Sequence, residues 1–168
     1  MTKRIFSGLF LATLIAAPAL AADLPARTPG LWQSTTTVTG PDGKPLPNAA
    51  NVVTLSCVDA LNDQKFFTSN QNACTGLTIS GQGNSYNIDG SCQSQGLGQS
   101  VHIHETLVYG EKNLQLQAVY NGAEGTMTVT SQLQWQGECL AGMQPGDEGN
   151  ISNGVFSKAD NINDTVNQ

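Results

Sequence analysis

Basic residues are scarce in this sequence of 168 residues: lysine and arginine together number 7, against 13 aspartates and glutamates. Two of those seven, Lys3 and Arg4, lie at the extreme N-terminus, which leaves Arg27, Lys44, Lys65, Lys112 and Lys158 with no cluster among them. Such a chain cannot neutralise a run of phosphates, so nucleic acid is excluded as a partner. An anionic membrane surface is disfavoured by the same sign. Charged residues of both signs make up only 12% of the sequence, and the polar surface must come from Gln, Asn, Ser, Thr and Gly. Histidine is limited to His102 and His104. A G-x-S-x-G elbow is missing, and no two cysteines are spaced as C-x₂₋₄-C, which removes the usual signatures of a serine hydrolase and of a four-thiolate metal site. Long hydrophobic runs are missing too. The run from Ile5 to Ala17 is about 13 residues, short of the roughly 20 that a spanning helix needs, so no stable membrane insertion is expected.

What is present at the N-terminus has another reading. Lys3-Arg4, the apolar run and Ala19-Leu20-Ala21 form the three parts of a secretory signal peptide cleaved after Ala21. Residues 1–21 are therefore read as the signal, 22–142 as a single β domain and 143–168 as a polar, mostly flexible C-terminal tail. Export places four cysteines in an oxidising compartment, where Cys57, Cys74, Cys92 and Cys139 are expected as two disulfides and cannot serve as thiolate nucleophiles.

Alternation of apolar and polar residues marks the strands. Leu31 to Thr39 opens the domain, with Trp32 and Val38 on one face, and Val52 to Ser56 follows after a Gly/Pro-rich loop. Asp59 is placed to cap one short helix through Phe67, held by Leu61 and a phenylalanine. Between Val101 and Trp135 lie the strongest signals: Val101, Ile103, Leu107 and Tyr109 with Glu105 as the exception, then Leu114, Leu116, Ala118 and Tyr120, a tight turn at Asn121-Gly122, and Met127, Val129, Leu133 and Trp135. Thr and Gln fill the opposite face. The pattern predicts an all-β fold, an antiparallel barrel or sandwich of about seven to eight strands with one short helix.

Cys74 to Cys92 reads as a hairpin turning at Gln82-Gly83, which would pair Leu77 with Ile88 and Ile79 with Tyr86. That register sets Cys92 opposite Ala73. A bulge at Gly76 would bring Cys74 to Cys92 and leave Cys57–Cys139 to close the larger loop, the favoured arrangement. Without the bulge, Cys57–Cys74 with Cys92–Cys139 is the better pairing.

Several landmarks occur in order: Pro29-Gly30-Leu31-Trp32 before a Thr-rich strand, Cys57 before a capped segment, the Cys74–Cys92 hairpin, Glu124-Gly125-Thr126-Met127-Thr128, and Cys139 followed by Gly142-Met143-Gln144-Pro145-Gly146-Asp147. This set, spanning roughly Thr28 to Asp147, resembles the bacterial exported family DUF3617, a domain of unknown function. The residues after Cys57 depart from that family's usual Thr-Pro-Glu start. The resemblance implies a disulfide-bonded, β-rich protein of a Gram-negative periplasm and brings no activity, cofactor or catalytic residue.

His102-Ile103-His104 is the sharpest candidate for chemistry, because residues two apart on a strand point the same way and both imidazoles could share one divalent metal ion. Glu111, Glu124 or Met127 would have to complete the set, and two solvated histidines on a wet face are the simpler account. Trp32 and Trp135 invite sugar stacking, but each lies on the apolar face of its strand, where a core role is expected. The sequence thus points to an exported periplasmic binding or structural module with no cofactor and no catalytic residues. A small apolar ligand or an envelope partner would be its counterpart. A metal-binding protein using His102 and His104 is the alternative, and a hydrolase comes third.

Overall fold

A computed structural model describes residues 23–68, 74–93 and 100–164. The signal-peptide reading falls on residues outside these. Nine strands form one antiparallel sheet: β1 (Gly30–Thr39), β2 (Val52–Val58), β3 (Cys74–Gln82), β4 (Ser85–Gln93), β5 (Ser100–Tyr109), β6 (Asn113–Gly122), β7 (Gly125–Gly137), β8 (Asp147–Ser152) and β9 (Val155–Asn161). Their order across the sheet is β3-β4-β5-β6-β7-β1-β2-β8-β9. Among the described residues one short helix, α1 (Lys65–Thr68), follows β2.

The sheet is open, neither a closed barrel nor a two-sheet sandwich. It is strongly curled nonetheless: Val58 of β2, Ile88 of β4, Leu107 of β5 and Leu114 of β6 share one buried cluster with Trp32. Leu24 of the N-terminal segment and Phe66 and Phe67 of α1 pack into the same cluster. Apolar side chains thus fill the space across which a barrel would close by hydrogen bonds. A second, smaller core lies on the other face of β1 and β2, where Leu31, Leu55 and Cys57 meet Met143, Leu140 and Cys139. The Cys57–Cys139 disulfide, with Cα atoms 5.5 Å apart, fixes that covering segment to the sheet.

The C-terminal region corrects the sequence reading. Residues expected as a mostly flexible tail form the β8–β9 hairpin, turning at Asn153 and Gly154, both of positive φ. Asn-Gly is a strong hairpin signal, here flanked by too few apolar residues to stand out. Asp147 anchors the hairpin: its carboxylate accepts hydrogen bonds from the Gln144 backbone N–H (2.8 Å), Asn161 Nδ2 (2.7 Å) and Lys158 Nζ (2.7 Å). The same hairpin raises the strand count above the expected seven to eight.

Two turns also lie away from their expected places. β3 and β4 turn at Gly83-Asn84, pairing Ile79 with Ile88 and Gly81 with Tyr86. Gly83 takes φ 65° while Asn84 is not among the residues of positive φ, the pattern of a II′ turn led by glycine. The register shifts between Thr75 and Thr78, where Gly76 has φ 65°, and a disulfide joins Cys74 to the directly opposite Cys92. β6 continues through Asn121-Gly122, and Ala123-Glu124 make the turn. Asn121 is held in register by the Thr126 hydroxyl, which donates to its side-chain oxygen at 2.8 Å. Leu61, expected to pack, is 88% exposed, because the capped turn directs Asn62 and Asp63 inward instead.

A Cβ at Gly149 would come within 2.1 Å of the Ser157 carbonyl oxygen and 2.9 Å of the Phe156 ring. Gly149→Ala is therefore expected to lower stability by about 1–3 kcal/mol in urea denaturation and to expose the β8–β9 amides to hydrogen exchange ahead of those of β5–β7.

Candidate functional site

Alternation along the strands decides which side chains face the concave side of the curl. From β1 come Ser34 and Thr36, from β6 Leu116, Ala118 and Tyr120, and from β7 Val129, Ser131 and Leu133. Glu105 enters from β5, and Ser56 and Glu148 from β2 and β8. With Arg27, Phe66 and Phe67 at one end, these residues line a trough of about 280 Å³. That is close to the lower limit of the roughly 300–1,000 Å³ typical of small-molecule sites.

The closed end is built around an ion pair. Arg27 Nε meets Asp63 Oδ1 at 2.6 Å, and the Arg27 backbone N–H donates to Asp63 Oδ2 at 2.6 Å. Both side chains are almost wholly buried, 2% and 4% exposed. The guanidinium carbon lies 4.9–5.2 Å from the ring centroids of Phe67, Trp32 and Phe66, a cation surrounded by aromatic rings. Asp63 is delivered by the capped turn after β2, in which Asp59 Oδ1 accepts the Leu61 and Asn62 N–H groups (2.9 Å each) and Asn62 Oδ1 accepts that of Asp59 (3.1 Å). The two indoles hold the adjoining segment, Trp32 Nε1 donating to the Thr28 carbonyl (2.8 Å) and Trp135 Nε1 to that of Pro29 (3.0 Å). Arg27 Nη2 is buried without a hydrogen-bond partner.

Two carboxyls face the trough. Glu105 has no hydrogen-bond or salt-bridge partner among the described residues, and burial pushes its pKa from 4.5 up to about 7. Glu148 is raised as well, by burial, against the opposing effect of a hydrogen bond from the Ser56 hydroxyl at 3.0 Å. Burial also raises the Tyr120 phenol, with Glu105 adding to the effect. A carboxyl with a raised pKa in a concave, partly apolar site is a functional-site candidate.

The residues singled out from the sequence lie elsewhere. His102 and His104 are exposed on the opposite face of β5 from Glu105. His104 Nδ1 is 2.6 Å from Asp89 Oδ1 on β4, and His102 stands opposite Ser91 and Asn121. No three of His, Cys, Asp and Glu come together to hold a metal ion among the described residues. Trp32 is 1% exposed in the core, and Trp135 packs against that core with Lys112 Nζ 4.3 Å from its ring centroid. The sequence reading missed Arg27, Asp63 and Glu148, and it met Glu105 only as an interruption of an apolar face. That interruption, and the isolation of Arg27 as the one arginine after Arg4, were the available signals.

A family profile described as "Protein of unknown function (DUF3617)" matches residues 27–139. The chain belongs to the DUF3617 family. No curated protein and no solved structure matches it. Within the DUF3617 match fall the whole closed end of the trough and Glu105, whereas Glu148 comes from the β8–β9 hairpin beyond it. No helix among the described residues is long and apolar enough to cross a membrane.

Removing one partner of a buried ion pair leaves an uncompensated charge, so Asp63→Ala is expected to cost roughly 3–5 kcal/mol in urea denaturation. Glu105 gives a pH signature. Its pKa is higher folded than unfolded, so its contribution to stability is complete below about pH 4.5 and is lost as pH rises through about 7. The titratable groups around it are Tyr109 on its own strand, Tyr120 on β6, and Arg27 and Glu148 across the trough; β4 presents Ile88 opposite. Glu105→Gln is expected to gain on wild type between pH 5 and pH 8, by at most about 3 kcal/mol, in paired denaturation curves. The difference is the readout, because Glu148 titrates in the same direction.

Proposed function

We propose that this DUF3617 domain is an exported periplasmic binding module, not an enzyme, that holds a small, partly apolar molecule in its concave trough. The observation that carries the reading is a cavity whose lining residues include two polar groups without a hydrogen-bond partner among the described residues, the half-buried Glu105 carboxyl and the buried Arg27 Nη2. A core built only for stability buries few such groups, because each costs free energy without a partner. Leu116, Ala118, Val129 and Leu133 supply the apolar bed, and Ser34, Thr36, Ser56 and Ser131 supply hydroxyls along it. The hydroxyls have no histidine beside them, since both histidines lie across the sheet. This favours binding over nucleophilic catalysis.

Ala118 lies at the middle of the trough, 2% exposed, opposite Glu105 on one side and Val129 on the other. Ala118→Phe fills the space without touching either disulfide. In native mass spectrometry of protein released from the periplasm, the wild type is expected as a chain beginning at Ala22 with a co-purifying small molecule, and the variant as the same chain without it. A wild type free of any small molecule, or an adduct that persists in the variant, would sink the proposal.

A further inference from the structure

The charges facing the trough do not balance. The described residues hold five basic side chains besides the two histidines, and each already has a partner. Arg27 is paired with Asp63, Lys44 with Asp42 and Lys158 with Asp147; Lys65 Nζ donates to Asn163, and Lys112 lies over Trp135. Glu105 therefore faces the cavity with no cation of the protein paired with it, whereas Glu148 accepts the Ser56 hydrogen bond and feels the charge of Arg27, which Asp63 already matches. Desolvating an ionised carboxyl without a counter-charge is costly, and a bound cation would remove that cost.

The second observation is independent of the acids. Arg27 is 2% exposed, lines the trough, and has a buried Nη2 with no acceptor. Its charge is already matched by Asp63, so what it lacks is an oxygen to accept a hydrogen bond. Between these polar points run Leu116, Ala118, Val129 and Leu133. The apolar bed, and only two carboxyls, do not suit a hard metal ion, which takes six or more oxygen ligands.

Resting on the trough as the binding site, we infer that its ligand is a small organic ammonium compound that also carries a hydrogen-bond-accepting oxygen and a short apolar body, the chemistry of an amino alcohol or amino-acid derivative. The ammonium meets Glu105, with the Glu148 charge elsewhere on the trough wall adding to the attraction, the oxygen accepts a hydrogen bond from Arg27 Nη2, and the apolar body lies over β6 and β7.

Three probes of one shape test this by calorimetry and by amide chemical shifts at pH 8 on the mature full-length protein. Leucinol carries the amine and the oxygen, 4-methylpentan-1-ol lacks the amine, and 4-methylpentanoate carries the opposite charge. Leucinol is expected to bind about tenfold or more tighter than the alcohol, the worth of one charge-assisted hydrogen bond, and the carboxylate weakest. Glu105→Gln, isosteric and uncharged, is expected to shrink the preference for the amine to about threefold or less, and Glu148→Gln to act in the same direction. Binding of the alcohol or the carboxylate as tightly as leucinol, with shifts at Leu116 and Ala118, overturns the ammonium assignment and leaves the trough as the site. If none of the three shifts those amides, both the assignment and the trough reading fall. An undiminished preference in both variants overturns the assignment of the carboxyls.

Discussion

The buried pair of Arg27 and Asp63 is the contact on which the concave side of this molecule depends. It joins two parts of the chain that the sheet does not join, the segment before β1 and the turn after β2. Bringing both charges out of water is expensive, and the local structure is arranged to offset it. Asp63 receives two hydrogen bonds from one residue, while three aromatic rings surround the guanidinium. Because the pair fixes where Phe66 and Phe67 sit, it also fixes one end of the trough. A hydrophobic substitute could fill the same space but would not leave an N–H facing it.

The sheet works as a partition between two unlike interiors. Its concave side is broad and only partly filled, with a compact cluster around Trp32, Leu107 and Leu114 beside an open polar space. Among the described residues its opposite side is covered over β1 and β2, by the segment from Cys139 to Met143 and by Phe156 of β9. Elsewhere that side presents Thr and Gln to solvent. β1 and β2 thus have buried residues on both faces, while β5 carries an unpartnered carboxyl on its concave side.

Much of the fold was legible in the sequence where one face is dry. The alternation of Val101 to Trp135 gave β5, β6 and β7 and the side each residue faces, because period two is a local property. Closure was not legible: whether a sheet of this length becomes a barrel depends on whether its two edge strands meet. Here Phe66, Phe67 and Leu24 occupy the interior, and the edges are β3 and β9. The turns went astray by two residues or fewer, since Gly81, Gln82, Gly83 and Asn84 offer several neighbouring places to turn. The site was the least legible part. Arg27 and Asp63 are 36 residues apart, and neither is remarkable locally. The histidines drew notice because their spacing is local, whereas the trough is assembled from six strands.

The place of β1 within the sheet bears on how the chain can fold. β1 pairs with β2 on one side and with β7 on the other, Val38 opposite Val129 and Trp32 opposite Trp135. A chain emerging from its N-terminus can form the β1–β2 ribbon early, but the other edge of β1 has no partner until almost a hundred further residues have followed. Until then Trp32 has neither its neighbouring indole nor the wall made by β5 and β6. Contacts of such wide sequence separation are slow to form and leave strand edges exposed while they do. The domain must therefore pass through a stage in which its earliest segment waits for one of its latest, and anything that shields the open edge of β1 in that interval would favour productive folding.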